Sequence, residues 1–122
     1  MVNIASKGNA TKFGEMTSAG LAYGGCANSV RGMFAGGYTA GAQEMKTINY
    51  ITMASEGNAI DFGNLTIGRN YPGGMATQTR AVFCSGTDGS PSTTNLIDYV
   101  NIASASNAVD FGDVMEATQR QR

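Results

Sequence analysis

Two triplets in this 122-residue chain match a metal-binding motif in letters only, Asp61-Phe62-Gly63 and Asp110-Phe111-Gly112. In one class of phosphoryl-transfer enzymes an Asp-Phe-Gly aspartate holds magnesium against the nucleotide phosphates. That chemistry also needs a phosphate-cradling glycine loop and a His-Arg-Asp catalytic loop, and this chain has no histidine. The same lack leaves no Ser-His or Cys-His pair to activate a nucleophile. Asp110 with Asp113, and Asp61 with Asn64, offer oxygens to a cation. Calcium takes about six to eight such oxygens, and the matching positions near the N-terminus are Lys12 and Glu15. Asp88, in Gly86-Thr87-Asp88-Gly89-Ser90, has the neighbours of a turn residue rather than of a cation loop. A glycosidase needs two carboxylates facing one bond, and no column of the chain presents two close acids throughout. The expectation is a protein that is not an enzyme, with no catalytic residue, no metal and no cofactor.

The side chains left with a binding role are arginines and tyrosines. Arg31 and Arg80 lie 49 residues apart and each heads a short apolar run. Either they are structural, capping turn carbonyls or pairing with an aspartate of a neighbouring hairpin, or they give one polar contact per repeat to a ligand. Tyr38 and Tyr71, with Tyr23, fall in or near loops, where a phenol ring can stack on a sugar. Arg31, Arg80, Tyr38 and Tyr71 are therefore the candidate ligand-binding residues.

What positions them is a repeat. Ala54-Ser55-Glu56-Gly57-Asn58-Ala59-Ile60-Asp61-Phe62-Gly63 has a counterpart 49 residues upstream, ending Phe13-Gly14, and another 49 residues downstream, ending Phe111-Gly112. A period of about 40–50 residues points to propeller blades. In the middle copy Thr47-Ile48-Asn49-Tyr50-Ile51-Thr52 alternates apolar and polar, the period of a half-buried strand. Gly57-Asn58 then supplies a tight turn. The return strand runs through Phe62, with Ile60, Phe62 and Leu65 as candidates for burial. Glycine-rich segments around Gly24-Gly25 and Gly73-Gly74 suit a place where sheets crowd together. Runs from Arg31 and Arg80 close on Gly36-Gly37 and Ser85-Gly86. Each repeat thus carries four short strands: A (glycine-rich), B (ending in the glycine doublet), C (with Tyr50 or Tyr99) and D (with Phe62 or Phe111). Helix is expected nowhere except a frayed turn over residues 115–122, because glycine is dense and no 3.6-residue apolar period is sustained.

The order of a B strand ending in Gly36-Gly37, a variable loop, Tyr50, Phe62 and Arg69 resembles a kelch repeat. That family usually has tryptophan at the aromatic position, and this chain has none. The stretches from Ile48 to Arg69 and from Thr79 to Gly86 also resemble repeats in structural or tail-associated proteins of tailed bacteriophages, marine and cyanobacterial ones especially. The resemblance implies an all-β fold of four-stranded antiparallel kelch-like propeller blades, about two and a half repeats of 49 residues. It implies a structural virion protein, a tail, fibre or decoration component serving assembly or host adsorption. A carbohydrate-binding repeat module is the alternative.

Counting halves gives a C-D half blade at residues 1–17, a blade at 18–66 and a blade at 67–122, together one repeat domain. Propellers close with roughly four to eight blades, so this count does not close a ring alone. Either the chain is a segment of a longer propeller, or it is complete and its spare hairpin makes an intermolecular sheet or packs against another virion protein. Both leave open sheet edges, which pair readily. The expected partners are other copies of the chain or other virion proteins, with a host surface glycan as a further one. Net charge is −1 and only 14% of residues are charged, so no electrostatic pull toward nucleic acid or an anionic membrane is expected. No apolar run nears the ~18 residues of a membrane span, and the N-terminus lacks the pattern of a secretory signal. The expected location is the virion, reached from the host cytoplasm. Cys26 and Cys84 occupy different columns of the repeat, which favours small buried hydrophobes over a disulfide.

Overall fold

The alternating stretch at 47–52 and its copy 49 residues later form the centre of two equivalent sheets. The structure is a computed structural model, and it describes residues 1–39, 41, 44–88 and 93–116. The first sheet holds β1 (Gly24–Ala27), β2 (Arg31–Ala35), β3 (Thr47–Thr52) and β4 (Ile60–Asn64), in that order and antiparallel throughout. The second holds β5 (Gly73–Ala76), β6 (Arg80–Cys84), β7 (Leu96–Asn101) and β8 (Val109–Asp113) in the same arrangement. The fold is all-β, with no helix among the described residues. The turn expected over 115–122 lies outside the described residues, apart from Met115 and Glu116, which are not helical.

The sheets repeat in detail. Both C-D pairs shift register at the same place, between Ile48 and Asn49 and between Ile97 and Asp98. Asn49 pairs with Asp61 and Ile48 with Gly63, so Phe62 is the extra residue of a β-bulge, and Phe111 is its counterpart. The bulge rotates the strand, which corrects the simple alternation. Ile60 is 54% exposed, whereas Phe62 and Leu65 are buried. Phe62 packs edge-on against Tyr50 at 5.8 Å and Phe111 against Tyr99 at 5.9 Å.

One core lies between the sheets. Met33, Ala35, Ile48, Phe62 and Leu65 of the first meet Ala81, Phe83, Val100 and Ile102 of the second. The glycine-rich strands β1 and β5 approach each other along this seam. A Cβ on Gly74 would stand 2.6 Å from the Gly25 carbonyl oxygen, so only glycine permits the approach. The outer faces differ from this seam in burial. Phe111, the counterpart of buried Phe62, is 60% exposed because no described residue packs beyond it.

Residues 1–20 form no strand. Met1 and Thr11 nonetheless exchange backbone hydrogen bonds, Thr11 N donating to the Met1 carbonyl at 2.8 Å. These residues are the counterparts of the paired Tyr50 and Ile60. Phe13 and Glu15 accept from the amides of Gly57 and Ala59 at 3.0 and 2.8 Å. The N-terminal segment therefore lies against the first sheet in the position of a D strand, with no C strand beside it among the described residues.

Candidate functional site

Arg31 and Arg80 are placed alike by their strands. Arg31 opens β2 and its guanidinium lies 4.4 Å over the Tyr50 ring; Arg80 opens β6 and lies 4.5 Å over Tyr99. Each strand pairing brings the arginine beside the tyrosine of the neighbouring C strand, giving a cation–π stack. Arg31 goes further and donates from Nη1 to the Ile102 carbonyl at 2.6 Å, joining the first sheet to the second. Arg80 lines an outer groove of about 450 Å³ with Met75, Thr77 and Val82.

Tyr38 and Tyr71 lie at the opposite end of the sheets. Tyr38 exchanges backbone hydrogen bonds with Leu21 at 2.9 and 3.0 Å, and Tyr71 N donates to the Ala22 carbonyl at 2.9 Å. The four candidates therefore form two separated pairs rather than one site. Tyr71 has φ +55°, which is uncommon for a side-chain-bearing residue. Its counterpart Ala22 has φ +63°, so the conformation belongs to the repeat and not to a ligand clamp. Of the variable loops, residues 40, 42, 43 and 89–92 lie outside the described residues.

The most elaborate polar arrangement is one that the sequence alone does not single out as a site. Arg69 and Asp98 are both fully buried, with Nη1 and Oδ2 3.1 Å apart. Arg69 Nη2 donates to the Phe83 carbonyl at 3.1 Å. Asp98 accepts from the Thr66 amide at 3.1 Å and from its hydroxyl at 2.8 Å. The link between the sheets is thereby fastened to strands B and C of the second. One repeat earlier, Thr17 donates to Asn49 at 2.7 Å, and Gly20 stands where Arg69 would be. The signal is a paired difference between copies: Asp98 comes with arginine, neutral Asn49 with glycine.

A second clamp recurs at the 49-residue period. The Glu15 amide donates to Asn58 Oδ1 and the Asn64 amide to Asn107 Oδ1, each at 3.1 Å. Ala59 N donates to the Glu15 carbonyl and Ala108 N to that of Asn64, each at 2.8 Å. The recurring asparagine, which sequence alone reads as a turn former, lies past the turn, which falls at residues 53–55, and instead holds the D segment of the preceding repeat. Asn28 Nδ2 donates to the Gln78 carbonyl at 2.8 Å and adds a contact between the A-B turns. These groups are built to stack one sheet on the next.

Both cysteines are free, Cys26 half-buried and Cys84 buried. Burial pushes the Cys26 thiol from about 9 up to about 11. Burial also raises Cys84, with the charge of Arg69 acting the other way. At pH 8 alkylation of native Cys26 by iodoacetamide is expected to be on the order of 100-fold slower than in urea, because the thiolate is the reacting form and burial leaves that much less of it. Equal rates would contradict its burial. Between pH of about 9 and 11 the native thiol holds a proton that the unfolded thiol has lost, so this group lowers stability as pH rises there and has no such effect at neutrality. Among the described residues no three acidic or thiol side chains gather as a metal-ligating group. No family model matches the chain and no curated protein matches it either.

Proposed function

We propose that the chain is a structural virion protein, a tail, fibre or decoration component whose kelch-like blades give a scaffold for assembly or host adsorption. The observation that carries the reading is the use made of the polar side chains. Arg31, Arg69, Asp98, Thr66 and Asn107 are all spent on joining one sheet to the next. The resemblance of the 48–69 and 79–86 stretches to phage tail repeats supports the source. Quantitative mass spectrometry of gradient-purified phage particles tests it. Peptides of this chain are expected in the particle at a fixed ratio to the major structural proteins. Their confinement to the soluble lysate would overturn the proposal.

The carbohydrate reading keeps one specific support, the convergence of Tyr38 and Tyr71 on Leu21 and Ala22. Glycan-array binding lost in both Tyr38→Ala and Tyr71→Ala would favour it.

A further inference from the structure

We infer that a second copy of this chain docks head to tail, the outer face of its second sheet seated on the outer face of the first sheet, where residues 11–17 now lie. This rests on the scaffold reading and names the partner. The chain already contains the interface once. At the internal seam the first sheet presents Met33, Ala35, Ile48, Phe62 and Leu65. Forty-nine residues on, their counterparts in the second sheet are Val82, Cys84, Ile97, Phe111 and Val114, of which Cys84 is already buried. The receiving side at the seam is Phe83, Val100, Ile102 and Ala108. Forty-nine residues back, the first sheet offers Phe34, Ile51, Met53 and Ala59, which form one wall of an apolar groove of about 610 Å³ whose other wall is the N-terminal segment, Phe13 included. Both halves of the interface are therefore present, each uncovered or loosely covered. Phe111 is 60% exposed and Met53 45%.

Two of the polar contacts fit the same operation, whereas the Thr66–Asp98 contact does not recur, because Met115 would stand where Thr66 does and Asn49 would lose Thr17. Arg31 reaches the Ile102 carbonyl across the seam. Arg80 is held by Tyr99 in the same way, and the residue 49 before Ile102 is Met53. Arg80 of one copy would thus donate to the Met53 carbonyl of the next. The Asp113 amide, counterpart of Asn64, would donate to Asn58. Gly25, counterpart of Gly74, already has the space, because a Cβ there meets nothing closer than 3.6 Å.

Residues 11–17 are a substitute for β8 of the incoming copy. They make the clamp through Asn58, but among the described residues no C strand pairs with them beyond the Met1–Thr11 contact, whereas β8 is laddered to β7. The β8 of an incoming copy therefore arrives already held as a strand, whereas the N-terminal segment has no ladder of its own. A head-to-tail contact generates closed rings or open filaments. With two sheets per copy and roughly four to eight blades in a propeller, closure would take about two to four copies.

Light scattering over a concentration series on the 122-residue chain decides this, with circular dichroism to confirm folding. The wild-type chain is expected to gain mass with concentration, toward a small closed oligomer. Deleting residues 2–17 should lower the concentration needed by about tenfold or more, and Gly25→Val should abolish association while leaving the spectrum and Tm unchanged. Gly14→Val is a second way to release the segment, since its Cβ would overlap the Gly57 carbonyl oxygen, and should act like the deletion. A chain that stays at one mass at every concentration overturns the proposal. So does association unaffected by Gly25→Val, or weakened by the deletion. None of these results alters whether the chain is found in particles, so the scaffold reading stands or falls separately.

Discussion

Arg69→Met is expected to lower the free energy of unfolding by about 3–5 kcal/mol, because it strands a buried carboxylate. In a domain of this size that corresponds to roughly 10–20 °C in Tm. Asp98 would keep the two hydrogen bonds from Thr66 and lose its counter-charge. Asp98→Asn alone leaves the guanidinium unpaired at zero exposure and should cost a similar amount. The double variant removes both charges, and the earlier repeat shows that a neutral amide serves there, Asn49 accepting from Thr17 at 2.7 Å. The double variant is therefore expected to be clearly more stable than the sum of the singles predicts, by more than about 1 kcal/mol in a denaturation cycle. Strict additivity would mean that the two groups do not act as a pair. The consequence reaches past stability. Arg69 also holds the Phe83 carbonyl of β6, so its loss should loosen the second sheet from the first before either sheet melts.

That centre also shows where sequence reading stops. Alternation at 47–52, the glycine doublet at Gly36-Gly37 and the run from Arg80 are enough to place β3, the end of β2 and β6. These are local signals, and local signals survive without knowledge of neighbours. The bulge at Phe62 is not visible, because the one-residue slip that buries Phe62 and exposes Ile60 is set by the partner strand. Arg69 and Asp98 lie 29 positions apart in unlike columns. Alignment of the copies emphasises what they share, and this chemistry sits where they differ. Arg31 is readable as capping a carbonyl. The identity of that carbonyl, Ile102 in the other sheet, follows only once the sheets are stacked.

Gly63→Ala is expected to destabilise by about 3 kcal/mol or more, and Gly112→Ala by only about 1–2 kcal/mol. The two glycines are repeat counterparts with nearly the same backbone, φ +156° and φ +151°. Both substitutions thus carry the same conformational cost, of order 1–3 kcal/mol. They differ in what lies across from them. A Cβ on Gly63 would overlap the Ser106 carbonyl oxygen, so the hairpin of the second sheet must move away from the first. A Cβ on Gly112 meets nothing within 4 Å. The difference between the two urea midpoints therefore measures the seam alone, with the strain of the bulge subtracted. Equal losses would mean that the seam adds nothing to stability and that each sheet stands by itself. The measurement belongs at low concentration, because Gly112 faces the surface assigned to a second copy. There the residue taking the place of Ser106 is Gly57 of that copy, so Gly112→Ala should weaken association far more than it weakens the fold.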